Sequence, residues 1–182
     1  MTETRTPGTA GKTSFLRAHP RAVAGVLIAG TVLAIAGFLW FRPDKLVVDT
    51  SVDEDFPPAA ATTDAEQSRT ILSSGTFRDL EHDTDGTASV IEAAAGKRYV
   101  RLEDFKTSSG PDVIVILSDT PATEDDWGAY DDGAFVALGP LKGNAGNQNY
   151  AIPADVDLSE YRSVVIWCRR FNVAFGAAPI GT

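Results

Sequence analysis

The sequence has few of the side chains that cofactor and metal sites use. Its 182 residues include one cysteine, one methionine and two histidines. A lone cysteine has no partner for an intrachain disulfide, and without paired cysteines or histidines no zinc site is predicted. No serine–histidine–acid set can be assigned, so a classical turnover enzyme is the least favoured function class.

Basic side chains are also outnumbered, because 16 lysines and arginines stand against 25 acidic residues and give a net charge of −9. Phosphate binding needs a basic face, so this balance argues against nucleic acid as a partner. The charge is distributed unevenly: residues 1–21 carry a net +3, and the rest of the chain carries −12. A basic amino-terminal segment and an acidic remainder predict that the two parts lie in different environments.

A long uncharged run follows the basic amino-terminal segment. Residues 22–41 read AVAGVLIAGTVLAIAGFLWF, with Arg21 and Arg42 on either side. As a helix, this run would rise about 30 Å, which matches the hydrocarbon core of a bilayer. It is longer than the apolar region of a usual signal peptide, and no small-x-small cleavage site follows it directly. We therefore predict an uncleaved transmembrane signal anchor that contacts membrane lipid.

The basic residues before the anchor favour an inside amino terminus. The predicted order is a basic cytoplasmic tail (1–21), the anchor (22–41), a flexible acidic and Pro/Ala-rich linker (42–70) and an extracytoplasmic domain (71–182). The linker composition cannot bury enough apolar surface to order itself. A short strand at residues 46–48 is an open alternative within it. This organisation predicts a single-pass protein of the cell membrane, with its carboxy-terminal domain outside.

From about residue 71 onward the apolar residues alternate with polar ones, as in half-buried strands. In residues 98–105, for example, Val100 and Leu102 share one face while Arg101 and Glu103 share the other. Short strands of this kind must close into a sandwich or a barrel. We predict an all-β fold, an antiparallel β-sandwich preceded by a single N-terminal transmembrane α-helix. The other predicted features are strands at 87–94, 113–117 (buried on both faces), 135–138 and 149–152, hairpin-like turns at 85–86 and 96–97, and one helical turn after Asp157.

The only cysteine lies in the stretch VVIWCRRFNVAFG, residues 164–176. The alternation changes parity at Arg169 and Arg170, and either a β-bulge or a tight hairpin there would restore it. One interpretation makes Cys168 a small buried hydrophobe, since free cysteine is among the most buried residue types. A second makes it a thiolate, favoured by the two neighbouring guanidinium groups, that does redox work or ligates a prosthetic group. An intermolecular disulfide is the third.

Several blocks of the sequence resemble one known family. They begin at Gly75-Thr76-Phe77 and continue with HDTDGTASV from His82, RLEDFKTSSGPDVIVILS from Arg101 and LGPLKGNAGNQNYAIPADVDLSEYRSVVIWC from Leu138. The last block, SVVIWCRRFNVAFGAAPI, resembles the carboxy-terminal signature of the DM-thirteen domain, the electron-transfer domain of Skeletor-type proteins. The likeness covers nearly all of residues 71–180, and the membrane-anchored bacterial form of the family fits best.

The resemblance implies a β-sandwich with a role in electron transfer. The characteristic cysteine of the family is proposed to act as a bare thiol or as a ligand to a group such as haem, and it falls on Cys168. His82 falls where the signature often has histidine, so Cys168 and His82 are the one sulfur–imidazole pair available for a haem; the alternative is a surface His82 bonded to a carboxylate. Arg169 and Arg170 would give electrostatic support. Unlike larger members, this chain carries no second redox module, so the redox partner would be another protein of the membrane or envelope.

An acidic segment runs from Glu124 to Asp132 and includes Trp127 and Tyr130. Its carboxylates do not follow the alternating oxygen spacing of a calcium loop, so we predict a solvated loop and no metal site. Trp127 and Tyr130 could form a contact surface for a partner. Two functions stay open: a membrane-tethered extracytoplasmic redox module that uses Cys168, and a non-catalytic β-sandwich that binds a ligand or an envelope protein, with a structural cysteine.

Overall fold

The computed structural model describes residues 20–41, 49–57 and 69–181. The chain divides into two units, residues 1–42 and 43–182, which are described separately. The described part of the first unit is one helix, α1 (Pro20–Phe41). Within it, Pro20–Leu39 is long and apolar enough to cross a membrane, with a mean hydropathy of 2.4. By length and composition, this helix is compatible with a membrane anchor or a signal sequence.

The second unit is built from strands, as the alternation predicts. The first sheet has the strand order β1-β8-β5-β4-β2, and the second has the order β3-β10-β9-β6-β7. Neighbouring strands are antiparallel except β1, which runs parallel to β8. The two sheets form a sandwich, so the predicted fold class is confirmed. The strands are β1 (Ser51–Asp53), β2 (Thr70–Thr76), β3 (Arg78–Asp79), β4 (Asp85–Glu92), β5 (Arg98–Lys106), β6 (Val113–Ser118), β7 (Phe135–Pro140), β8 (Ala145–Ile152), β9 (Ser163–Cys168) and β10 (Val173–Pro179).

The sandwich has two apolar clusters. The larger cluster lies between the sheets and joins residues such as Val100 and Leu102 of β5 to Ile166 of β9. The smaller cluster includes Val165 and Trp167 of β9, whose side chains point to the other face of the second sheet. β6 and β9 contribute to both clusters and are buried along their whole length. This confirms the prediction that residues 113–117 form a strand covered on both faces.

Residues 49–57, which fall inside the predicted linker, lie against the first sheet. β1 pairs with β8, and the ring of Phe56 lies 3.9 Å from the guanidinium carbon of Arg101. The Glu54 carboxylate accepts a bond of 2.7 Å from Lys142 Nζ. Arg101 is consequently only 4% exposed, although the sequence pattern places it on the open face of β5. Residues 1–19, 42–48 and 58–68 of the predicted tail and linker, including the strand considered at 46–48, lie outside the described residues, and those domain boundaries stay predictions.

Candidate functional site

Cys168 is the last residue of β9 and lies on the face that points between the sheets. Val164 and Ile166 precede it on the same face, and all three belong to the larger apolar cluster. None of the Cys168 surface is exposed. The strand places the sulfur at one end of the core, next to the connection that leads into β10.

That connection is a tight hairpin turn, one of the two solutions that the change of parity allows. The amide of Asn172 donates a hydrogen bond of 2.9 Å to the carbonyl of Cys168. Asn172 has a φ of 55°, in the left-handed region that asparagine tolerates better than most residues. The alternative, a bulge at Arg169 and Arg170, does not occur; the register of β10 against β9 shifts elsewhere, between Ala174 and Gly176.

The sulfur is enclosed by backbone groups of two segments. Cys168 Sγ donates to the carbonyl oxygen of Pro111 at 3.2 Å, and the backbone amides of Arg170 and Phe171 donate to the sulfur. The amide of Arg169 donates to the carbonyl of Asp112 at 3.2 Å, which ties the hairpin turn to the segment that contains Pro111. Together the two segments close the end of the core over the thiol.

This environment keeps the thiol protonated at neutral pH. Burial raises the pKa of Cys168 above its ordinary value, and the nearby Asp112 carboxylate acts in the same direction. The amides of Phe171 and Arg170, with the Arg170 charge, lower the pKa but do not cancel the effect of burial. Because the thiolate is the reactive form, the resting Cys168 is a weak nucleophile.

The two arginines after Cys168 differ in what they contact. The guanidinium of Arg169 lies 2.6 Å from the Asp112 carboxylate, and both side chains are about half exposed. Its charge is therefore balanced by a carboxylate and directed toward solvent. Arg170 is the one of the two whose charge lowers the pKa of Cys168, and its effect is the smallest of the contributions.

His82 is partly buried and lies beside β10. The centroids of its ring and the Phe175 ring are 3.9 Å apart, and its amide donates to the Phe175 carbonyl at 3.2 Å. Phe175 belongs to the same apolar cluster as Cys168. Among the described residues, no hydrogen bond or ring contact joins His82 directly to Cys168. The fold thus brings both residues to one end of the sandwich without forming the sulfur–imidazole pair.

A haem group does not fit this arrangement. Cys168 has no exposed surface, so a planar macrocycle bonded to its sulfur would have to replace core side chains, and the His82 ring packs on Phe175. Cavities of about 760 and 500 Å³ open elsewhere on the sandwich, and neither is lined by Cys168 or His82. Within residues 20–41, 49–57 and 69–181, no cluster of three or more His, Cys, Asp or Glu side chains could hold a metal ion.

The acidic segment covers the smaller apolar cluster. Tyr130 is fully buried there, and its hydroxyl donates to the carbonyl of Glu124 at 2.9 Å. Trp127 is 46% exposed, and its carbonyl accepts from the amide of Ala174 at 2.8 Å. Of the two aromatic residues considered as a contact surface, Trp127 is therefore at the surface and Tyr130 is part of the interior.

Comparison with known families identifies the domain. A family model described as electron transfer DM13 matches residues 76–180, more than half of the chain. The chain belongs to the electron transfer DM13 family. No curated protein and no solved structure matches it significantly. The DM13 match contains both Cys168 and His82, whereas α1, β1 and most of β2 precede it.

The sequence pattern alone did not point to the residues that close the site. Pro111 and Asp112 are 57 and 56 residues before Cys168, and their backbone carbonyls accept the bonds from the Cys168 thiol and the Arg169 amide. The available signal was the pair Gly110-Pro111, which reads as a turn. A Cβ on Gly110 would lie 2.8 Å from the Phe175 ring, so this glycine lets the turn approach the DM13 core closely.

Proposed function

We propose that this chain is a membrane-tethered electron-transfer module whose sandwich lies outside the cytoplasm and whose redox group is the Cys168 thiol. The observation that carries the proposal is the electron-transfer family match over residues 76–180, which contains this cysteine. α1 supports the tether, since it is long and apolar enough to span a bilayer. The net charge of +3 on residues 1–21 supports an inside amino terminus.

The chemistry open to one thiol is thiol–disulfide exchange with a disulfide-bearing partner of the membrane or envelope. The Cys168 thiolate attacks one sulfur of the partner disulfide, and a new S–S bond forms as the partner bond breaks. The other partner sulfur leaves as a thiolate and takes up the proton that Cys168 lost. The product is a mixed disulfide that joins the two proteins, in which Cys168 is oxidised and one partner sulfur is reduced. Because the chain has one cysteine, a second thiol from another protein must attack the Cys168 sulfur and release the partner as a dithiol. The electron pair then comes from Cys168 and that second thiol together.

The closed geometry requires that this reaction be gated. The thiol is buried and protonated. The 169–172 turn, which covers the sulfur, is itself exposed, so only one layer of residues separates the sulfur from solvent. The bonds from Arg169 to Asp112 and from Asn172 to Cys168 hold this cover. Local opening of a turn costs less free energy than global unfolding. Opening hydrates the sulfur, which removes the main cause of its raised pKa and makes the thiolate available.

The complete burial of Cys168 favours a second candidate function, a non-catalytic binding module of the envelope. In that case the Cys168 Sγ only fills the end of the core and donates to Pro111. The two candidates differ in one measurable property, the reactivity of the thiol while the domain stays folded.

The full chain in phosphatidylcholine nanodiscs, treated with the chromogenic disulfide 4,4′-dithiodipyridine, tests the proposal. Cys168 is the only thiol, so we expect release of about one equivalent of chromophore per chain at an unchanged circular dichroism spectrum. Dithiothreitol should restore the thiol, and Cys168→Ala should release none. No release from the folded chain would overturn the redox role and leave the binding module. Protease access to a carboxy-terminal tag on intact cells tests the orientation separately.

A further inference from the structure

A groove of about 760 Å³ opens at the end of β9 opposite to Cys168. Its walls come from β2 in the first sheet, from residues 121–123, from the segment before β9 and from the end of β10. The groove belongs to the sandwich unit and shares no lining residue with the thiol site.

The floor of the groove is the core of the sandwich. Val90 and Ile180, which are 1% and 7% exposed, line its bottom together with Tyr161. Leu72 stands at its edge on β2 and is 41% exposed, while Leu158 lines another wall. An apolar cavity that continues into exposed apolar side chains is typical of a site for an apolar group.

The charge of the groove is opposite to that of the domain around it. Of the fifteen residues that line it, two are charged, and both are arginines. Arg78 is held by the Asp125 carboxylate at 2.6 Å and by the Ala122 carbonyl at 3.1 Å. Arg162 is exposed, and its backbone is fixed by bonds to Ser118 and Ile180. An acidic chain thus presents a cationic group beside an apolar cavity.

We propose that this groove binds an amphipathic anion, a linear apolar chain that ends in a carboxylate or a phosphate. The apolar chain lies on Val90, Ile180 and Leu72, and the anionic head lies at Arg162, where the guanidinium binds either head group. Thr76 and Ser159 line the same groove, and the Ser159 hydroxyl donates to the Asp157 carboxylate at 2.7 Å, so Arg162 is the group that binds the head. This inference is independent of the proposed redox role.

The test is titration calorimetry of the full chain in phosphatidylcholine nanodiscs with decanoate, decyl phosphate and decanol, after subtraction of empty nanodiscs. We expect at least one anion to bind with a dissociation constant of about 1 mM or lower. Decanol, which lacks the charge, should bind roughly fivefold more weakly. The anion with the lower dissociation constant identifies the preferred head group, and a preference for either anion supports the proposal.

Two variants locate the site. Arg162→Gln should weaken anion binding roughly fivefold, whereas Lys97→Gln, an equal change of charge at an exposed turn, should leave it unchanged. Thr76→Trp, on the edge strand, should narrow the groove and weaken binding of both anions and decanol. Absence of anion binding, equal binding of decanol and anions, or equal effects of Arg162→Gln and Lys97→Gln would each overturn the proposal. If Thr76→Trp does not fold, the comparison of Arg162 with Lys97 decides.

Discussion

Replacing Cys168 by alanine should lower the free energy of unfolding by about 1.4 kcal/mol. The sulfur is fully buried in the core between the sheets. Its removal loses a transfer free energy close to that of one methylene, about 0.8 kcal/mol. The cavity left behind, roughly 25 Å³, adds about 0.6 kcal/mol at ~24 cal/mol per Å³. Cys168→Ser should cost about 2 kcal/mol, because the serine hydroxyl is more expensive to bury than the thiol, even though it keeps a donor for Pro111.

Urea unfolding of the full chain in nanodiscs measures these losses, followed by tryptophan fluorescence, to which the buried Trp167 contributes. Ser108→Ala, a change of similar size at an exposed position, is the matched control and should alter stability by less than about 0.5 kcal/mol. A loss for Cys168→Ala no larger than that of the control would mean that the sulfur is not packed in the core. A serine variant as stable as the original chain would contradict the apolar environment of Sγ.

Three further predictions concern the parts that hold the sandwich together. Gly146→Ala should lower the free energy of unfolding by about 2 kcal/mol and speed amide exchange in β1. Gly146 has a φ of 94°, and an added Cβ would collide with the Val52 carbonyl. Unchanged exchange at Val52 would contradict this prediction. Tyr130→Phe should cost about 1 kcal/mol in urea unfolding, since it removes the donor to the Glu124 carbonyl; a neutral result would show that this bond contributes nothing. The raised pKa of Cys168 should make stability fall as pH rises from about 8.5, the ordinary value, through the folded-state pKa, because the folded state favours the protonated thiol. Unfolding curves between pH 7 and 10 should show this fall in the original chain and a smaller one in Cys168→Ala, and equal falls would refute the linkage.

Local patterns predicted most of the fold, because the order of apolar and polar residues within a strand shows which of its faces are buried. The alternation of Val100 and Leu102 with polar residues placed β5 correctly, and the continuous apolar run from Val113 placed β6 as a strand covered on both faces. The change of parity after Cys168 limited the chain to a bulge or a hairpin, and the hairpin occurs there. These features depend on residues that are close together in the chain, so one sequence is enough to predict them.

Features that depend on distant segments were not predicted. Asp85-Gly86 resembles a hairpin turn, but Gly86 lies within β4 at a register shift opposite β5, with a φ of 107°. Arg101 is buried because the segment from 49 to 57 folds back onto β5 and β8. Part of the cover of Cys168 comes from Pro111, 57 residues earlier. The cysteine could be identified from the sequence, but the solvent exposure of its sulfur depends on these long-range contacts.

The most direct test of the account is the rate of disulfide exchange at Cys168 as a function of urea, measured on the full chain below its unfolding transition. A thiol released by local opening of the 169–172 turn should react at a rate nearly independent of low urea concentrations, because little surface is exposed. The rate should also exceed that expected from the population of unfolded chains. A rate that rises with the full denaturant dependence of global unfolding would contradict the account, since Cys168 would then react only when the whole sandwich is lost.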